Sequence, residues 1–179
     1  IAFGFASAMI FLLPPFILEQ LYHLGVGVTG FLVLGAPVGL VIFSRVSGKL
    51  NDGSKNITFS RLGLGIICLS LIFLVFLNPK WSYLFLTFGL FIYGVGGGYF
   101  QPANIASIMQ ASPMEMQGST GALQRMVQNI AISAGSAVGS TCLNLWPNNL
   151  LLATRIGWGI TLVLVIMSLK GMIFSKHNN

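Results

Sequence analysis

The sequence predicts an all-α membrane protein, a bundle of six transmembrane helices, and three observations carry that prediction. Only 7% of the 179 residues are charged, 55% are hydrophobic, and the mean hydropathy is +0.86. A water-facing domain carries roughly a quarter charged residues, so charge this scarce cannot cover a solvated surface. The apolar runs are long and do not alternate, which excludes a transmembrane barrel and leaves helices as the way to satisfy the backbone in lipid. The connections between the runs are short and polar or turn-forming.

Each run is measured against the roughly 20 residues needed to cross the hydrocarbon core. The first covers about Ala2 to Tyr22, the second Thr29 to Ser47, and the third Ile57 to Leu77. The fourth covers Ser82 to Met109, the fifth Gly118 to Leu145, and the sixth Leu151 to Phe174. Six crossings put both chain ends on one side, with the second and fourth connections. That side collects Arg45, Lys49, Lys55, Arg61, Lys170 and Lys176, against Lys80 and Arg155 opposite. The positive-inside rule then places both ends in the cytoplasm, in a cell membrane. The formal charge of +6 is a topology signal on this reading, and no nucleic-acid partner is needed to explain it. The chain starts at Ile1 with no charged leader, which reads as a piece of a longer protein. Cys68 and Cys142 fall inside spans, where cysteine acts as a small apolar residue, and neither a metal set nor a cofactor motif is visible.

The spans depart from plain anchors in a patterned way. Pro14 and Pro15 sit mid-way along the first, and each removes an N–H from the helix ladder, so a bend is expected near Ile10 and Phe11. Pro37 and Pro102 interrupt the second and fourth, either as cavity-lining breaks or simply because proline is frequent in membrane helices. Gly35 and Gly39, Gly94 and Gly98, and Gly135 and Gly139 are each four apart, on one helix face, where a second backbone can approach. That approach serves static packing or a sliding contact.

The fifth span carries the strongest signal. Arg125, Asn129, Ser133, Ser136 and Ser140 recur at helical spacing as one polar stripe, with Gln124 and Gln128 beside it. An arginine at the centre of a span costs about 2.5–3.5 kcal/mol on insertion scales, so the stripe is expected to face the bundle or a wet cavity. Gln101 and Asn104 share a face of the fourth span at a similar depth, and the Arg125 guanidinium is expected to point at them. The alternatives are interhelical hydrogen bonding that only holds the bundle together, or snorkelling to the headgroups. Glu19 is an acid near the outer end of the first span, either a proton or cation site or a solvated interfacial carboxylate. Gly48–Lys49–Leu50–Asn51–Asp52 opens the second connection. Gly48 there permits a tight turn, and Asp52 sits among Arg45, Lys49, Lys55 and Arg61, able to lock two helices.

Taken in order, these residues resemble the major facilitator superfamily, in particular the C-terminal six-helix half of its fourteen-helix drug:proton antiporter branch. Pro15–Phe16 with Glu19 and then Thr29–Gly30 is similar to the family's seventh core helix and its exit. Gly48-x-Leu50-x-Asp52 looks like the second copy of its cytoplasmic loop motif, flanked by Arg45 and Arg61. Phe100–Gln101, Asn104, Ile108–Met109, Pro113 and Gly118 look like its tenth helix running into the eleventh. The family's arginine position falls on Gln128, with Arg125 one turn earlier. The resemblance implies a proton-coupled exporter of drugs or other amphipathic small molecules. It would work by alternating access against an N-terminal bundle that these 179 residues do not contain, and that bundle would hold the proton-coupling carboxylates. The substrate path would run past Glu19, Gln101, Asn104, Arg125, Gln128 and Asn129. Other open readings are export of a native metabolite, or a scaffold or sensor that moves nothing. No Ser/His pair or phosphate loop argues for an enzyme.

Overall fold

A computed structural model describes residues 1–78 and 80–174, and among them every regular element is helical. Seven α-helical segments make six long rods: α1 (Ala2–Phe16), α2 (Val26–Val33), α3 (Gly35–Leu50), α4 (Asn56–Val75), α5 (Tyr83–Gln110), α6 (Gln117–Leu145) and α7 (Leu150–Phe174). Five rods among the described residues are long and apolar enough to cross a membrane: Ala2–Leu21, Val26–Leu50, α4, α5 and α7. The remaining rod, α6, has 29 residues, is set apart by its polar content, and packs on α1 and α7. The Lys176 of the charge count lies outside the described residues.

The prolines act unequally. Helix α1 runs unbroken through Pro14 and Pro15, and its continuation, Ile17–Leu21, is a π-helical turn. The irregularity therefore sits after the prolines rather than at Ile10 and Phe11. The Tyr22 amide donates to the Ile17 carbonyl and the Leu24 amide to that of Leu18, closing the span with wide turns. Pro37 does interrupt its rod. It has no N–H for the carbonyl of Val33, and α2 gives way to α3 at Leu34, whose amide donates three residues back to Phe31. Pro102 leaves α5 continuous.

Glycine sets how the rods pack. A Cβ built on Gly94 would collide with the carbonyl of Ala36, and one on Gly98 would lie 2.8 Å from the Ser44 nitrogen. One built on Gly39 would stand 2.6 Å from the Phe91 carbonyl oxygen. Thus α3 and α5 meet backbone to backbone along one seam. A second seam joins α5 to α4, where Cβ atoms on Gly63 and Gly96 would each meet the other residue's carbonyl side of the contact. A third joins α1 to α6: Gly135 faces Phe5 and Ala8, and Gly139 faces Leu12 and Met9. The core between the rods is built from Met9, Leu13, Leu64, Ile67, Leu71, Leu90 and Trp158, all essentially inaccessible.

The connection after α3 differs from its sequence reading. Gly48 lies inside the last turn of α3, with open space where a Cβ would be. The glycine that makes the turn is Gly53, at φ +90°. Asp52 does not lock the helices. It accepts from the Ser54 hydroxyl at 2.6 Å and the Ser54 amide at 3.1 Å, and these bonds hold its carboxyl below the usual carboxylate range. The lock is made by carboxamides. Asn51 donates to Asn56 at 2.6 Å, buried Asn56 donates to Gln110 at 3.0 Å, and Gln110 donates to the Gly53 carbonyl at 3.3 Å. This chain ties the loop and the start of α4 to the end of α5. An amide can donate and accept at once, which a carboxylate cannot.

Candidate functional site

The candidate site grows out of the rotation of α6. At 3.6 residues per turn, neighbouring residues are about 100° apart around the axis. Gln124, Gln128, Ala131, Gly135, Gly139 and Cys142 form one stripe; Arg125, Asn129, Ser133, Ser136 and Ser140 form another, one residue on. Both cannot face the bundle. The first stripe carries the small residues, and its Ala131, Gly135, Gly139 and Cys142 are buried. It takes the contact with α1, because only there can the two backbones come close. The second stripe is thereby turned outward: Arg125, Asn129, Ser133 and Ser140 are exposed and Ser136 is half-buried. The expectation that Arg125 points at Gln101 and Asn104 is corrected by this rotation. Gln124 and Gln128 hold that place.

The result is a cavity of about 440 Å³ between the last turns of α5, the first turns of α6, the start of α1 and the end of α7. Gln101 and Asn104 enter it from α5, and Gln124 and Gln128 from α6. At i, i+3 and i, i+4, each pair lies on one face of its helix. Gly4 in α1 lets the wall close, since a Cβ there would lie 2.9 Å from the Gln128 carbonyl oxygen. Phe3 and Phe100 give the cavity an aromatic wall, with ring centroids 5.3 Å apart. Behind them Phe3 stacks on Tyr93, at an interplanar angle of 3°. The Ser7 hydroxyl donates to the Phe3 carbonyl at 2.8 Å, so the Tyr93 hydroxyl, 3.0 Å away, is the donor to Ser7. This relay fixes the aromatic wall across α1 and α5.

The other sequence candidates lie elsewhere. Glu19 is exposed in the π-helical turn at the opposite end of α1. Arg125 and Asn129 are on the outward stripe of α6. Arg45 is exposed on α3, and Arg61 reaches across to donate to the Met172 carbonyl of α7. Of the path candidates, the cavity therefore joins Gln101, Asn104 and Gln128. Sequence reading placed Gln124 only as a flank. Its signal was present, since Gln124, Gln128, Ala131 and Gly135 share the spacing of a face, but an arginine outweighed two glutamines in choosing which stripe to turn inward.

Comparison with known proteins comes to bear on this arrangement. Residues 1–136 match the family model described as Major Facilitator Superfamily. Among curated proteins, the chain is 29% identical over 143 residues to the riboflavin transporter RibZ of Clostridioides difficile (strain 630), covering 79% of this chain and 31% of that protein. It is 25% identical over 135 residues to the uncharacterised transporter YebQ of Escherichia coli (strain K12), covering 75% of this chain and 30% of that protein. The chain thus spans about a third of the length of the curated relatives it matches.

Proposed function

Because the chain belongs to the Major Facilitator Superfamily, a family of membrane transporters, we propose that it forms the C-terminal six-helix half of a proton-coupled exporter of amphipathic small molecules. The observation that carries this is the outward polar stripe of α6. Lipid cannot solvate Arg125 and Asn129 cheaply, so the stripe calls for a second protein surface or a water-filled path. A second bundle, N-terminal to this one in the full-length protein, supplies both. Rocking of the two bundles then opens the path alternately to either side. The three acids of the chain, Glu19, Asp52 and Glu115, are exposed and stand apart from the amide-lined cavity. Proton coupling is accordingly assigned to the other bundle.

A second reading, export of a native metabolite, is favoured by the riboflavin transporter among the relatives and by the hydrogen-bonding character of the cavity. One measurement separates the two. Full-length protein in vesicles, given an imposed pH gradient, is expected to extrude ethidium on the first reading. Extrusion of riboflavin but not ethidium selects the second, and movement of neither rejects both. On either reading Arg125→Ala is expected to slow export by about tenfold at near-normal membrane abundance. Abundance falling in step with transport would make the stripe a structural seam. Full transport would remove Arg125 from the path.

Orientation follows the same proposal, with the Asn51–Lys55 loop and both ends of the chain cytoplasmic in the cell membrane. Lys55→Cys is expected to resist an impermeant thiol reagent added to intact cells, and Asn148→Cys to react. The opposite pattern overturns the topology.

A further inference from the structure

Four carboxamides converge on the cavity between α5 and α6, and none of them takes part in the side-chain hydrogen bonds that join the described residues. Asn51, Asn56 and Gln110, by contrast, spend their amides on one another. Gln101, Asn104, Gln124 and Gln128 present donors and acceptors to a half-open cleft beside an aromatic wall. The four are half-buried, so an occupant that covers them has to replace the bonds that water would otherwise make to their amides.

The occupant's charge is limited by what is absent from the lining. Among the described residues, which hold eight of the nine Lys and Arg and all three Asp and Glu, no charged side chain borders the cavity. A buried ion without a counter-ion is strongly disfavoured, whereas a neutral amide or imide edge can match a carboxamide donor to acceptor and acceptor to donor. The ring pair Phe3 and Phe100 offers a face for a flat solute, and a cavity of about 440 Å³ lies within the range that accepts fused-ring ligands.

We infer that this cavity is a binding site for uncharged, planar heterocycles bearing an amide- or imide-type edge. The inference rests on the transporter reading above and assigns neutral solutes to this one site, leaving a cation such as ethidium to the rest of the path. Each carboxamide accepts or donates one bond to the heterocycle edge, and the ring stacks on the aromatic wall. Arg125, on the other stripe, takes no part in this recognition.

The test uses purified full-length protein in detergent and direct binding of six probes. Theobromine and phthalimide are neutral with a free imide N–H; caffeine and N-methylphthalimide are their N-methylated counterparts. Tetraphenylphosphonium and naphthoate are the cationic and anionic controls. At least one N–H heterocycle is expected to bind, about tenfold more tightly than its methylated partner, with neither ion binding. Gln124→Leu and Gln128→Leu, close in size and without donors, are each expected to weaken binding about tenfold. Gln124→Glu is expected to admit the cation. Failure of all N–H heterocycles, equal or tighter binding of an ion to the unmodified protein, or binding unchanged in both leucine variants would overturn the proposal. Counterflow of the bound heterocycle in vesicles reads transport separately. Binding without counterflow rejects the transporter reading and keeps the site. Counterflow that survives in the Gln124→Leu, Gln128→Leu double variant rejects the site and keeps the transporter.

Discussion

Gly94→Ala is expected to destabilise the bundle by about 3 kcal/mol, the upper part of the range for forcing one extra methyl into a packed core. The added Cβ has no flexible neighbour to displace. It meets the Ala36 carbonyl and the Leu40 nitrogen, which are backbone of α3, so the two rods must move apart along their whole seam. The cost then spreads to Gly39 and Gly98, whose close contacts depend on the same separation. Gly65→Ala is the control. It lies in α4 with open space where its Cβ would go, and alanine favours helix over glycine by roughly 0.5–1 kcal/mol. Thermal unfolding of the full-length protein in detergent should therefore move in opposite directions for the two variants. A Gly94→Ala protein as stable as the parent would mean that α3 and α5 do not meet at this distance.

Arg61→Ala and Arg155→Ala are each expected to cost about 2 kcal/mol, the worth of a charge-assisted hydrogen bond in a partly buried place. The two arginines form a reciprocal clamp. Helices α4 and α7 run antiparallel, and each arginine is the sixth residue of its helix. Arg61 donates to the Met172 carbonyl in the last turn of α7, and Arg155 donates to the Leu77 carbonyl just beyond α4, at 2.9 Å. Both accept-side carbonyls belong to a helix end that lacks donors and carries partial negative charge. Lysine should restore part of each loss, since it keeps the charge but not the fork of donors. The two contacts stand at opposite ends of a rod about 30 Å long at 1.5 Å per residue, so independent losses should add within about 0.5 kcal/mol. A double variant that loses much more than the sum would mean that the α4–α7 seam opens as one unit. No change in either single variant would dismiss the clamp.

The rods themselves were legible because their cause is local. Apolar length and the turn-forming breaks read at Gly48–Asn56 or Trp146–Asn149 need no knowledge of neighbours, and the family resemblance agrees with the match over residues 1–136. The drug:proton subtype was not legible to the same degree, and the match over residues 1–136 reaches the superfamily without reaching that branch. The rotation of α6 was misread for a physical reason. The cost of Arg125 in lipid was weighed, but the gain from bringing Gly135 and Gly139 against α1 was not, and the second settles which stripe turns inward. The loop around Asp52 was misread in a similar way. Surrounding cations suggested ion pairing, whereas exposed carboxylates bond readily to a nearby hydroxyl, and Ser54 is two residues away. Arg61 and Arg155 entered the sequence reading only through the side of the membrane they mark, and their hold on carbonyls across the α4–α7 seam needed the packing of the two helices to be seen.

The polarity of α6 also bears on how the chain enters a bilayer during synthesis. Five rods can partition into lipid on their own composition, and α6 is not one of them. Its outward residues would oppose independent entry, and Arg125, the ninth of its 29 residues, adds part of the about 2.5–3.5 kcal/mol that an arginine costs at a helix centre. The following rod begins only five residues after α6 ends, through a turn closed by the Asn149 amide on the Trp146 carbonyl and by the Leu152 amide on the Asn149 side chain. That turn is short enough to bring α7 alongside as soon as it is made. Entry of the two as a hairpin would let the greasier partner carry the more polar one.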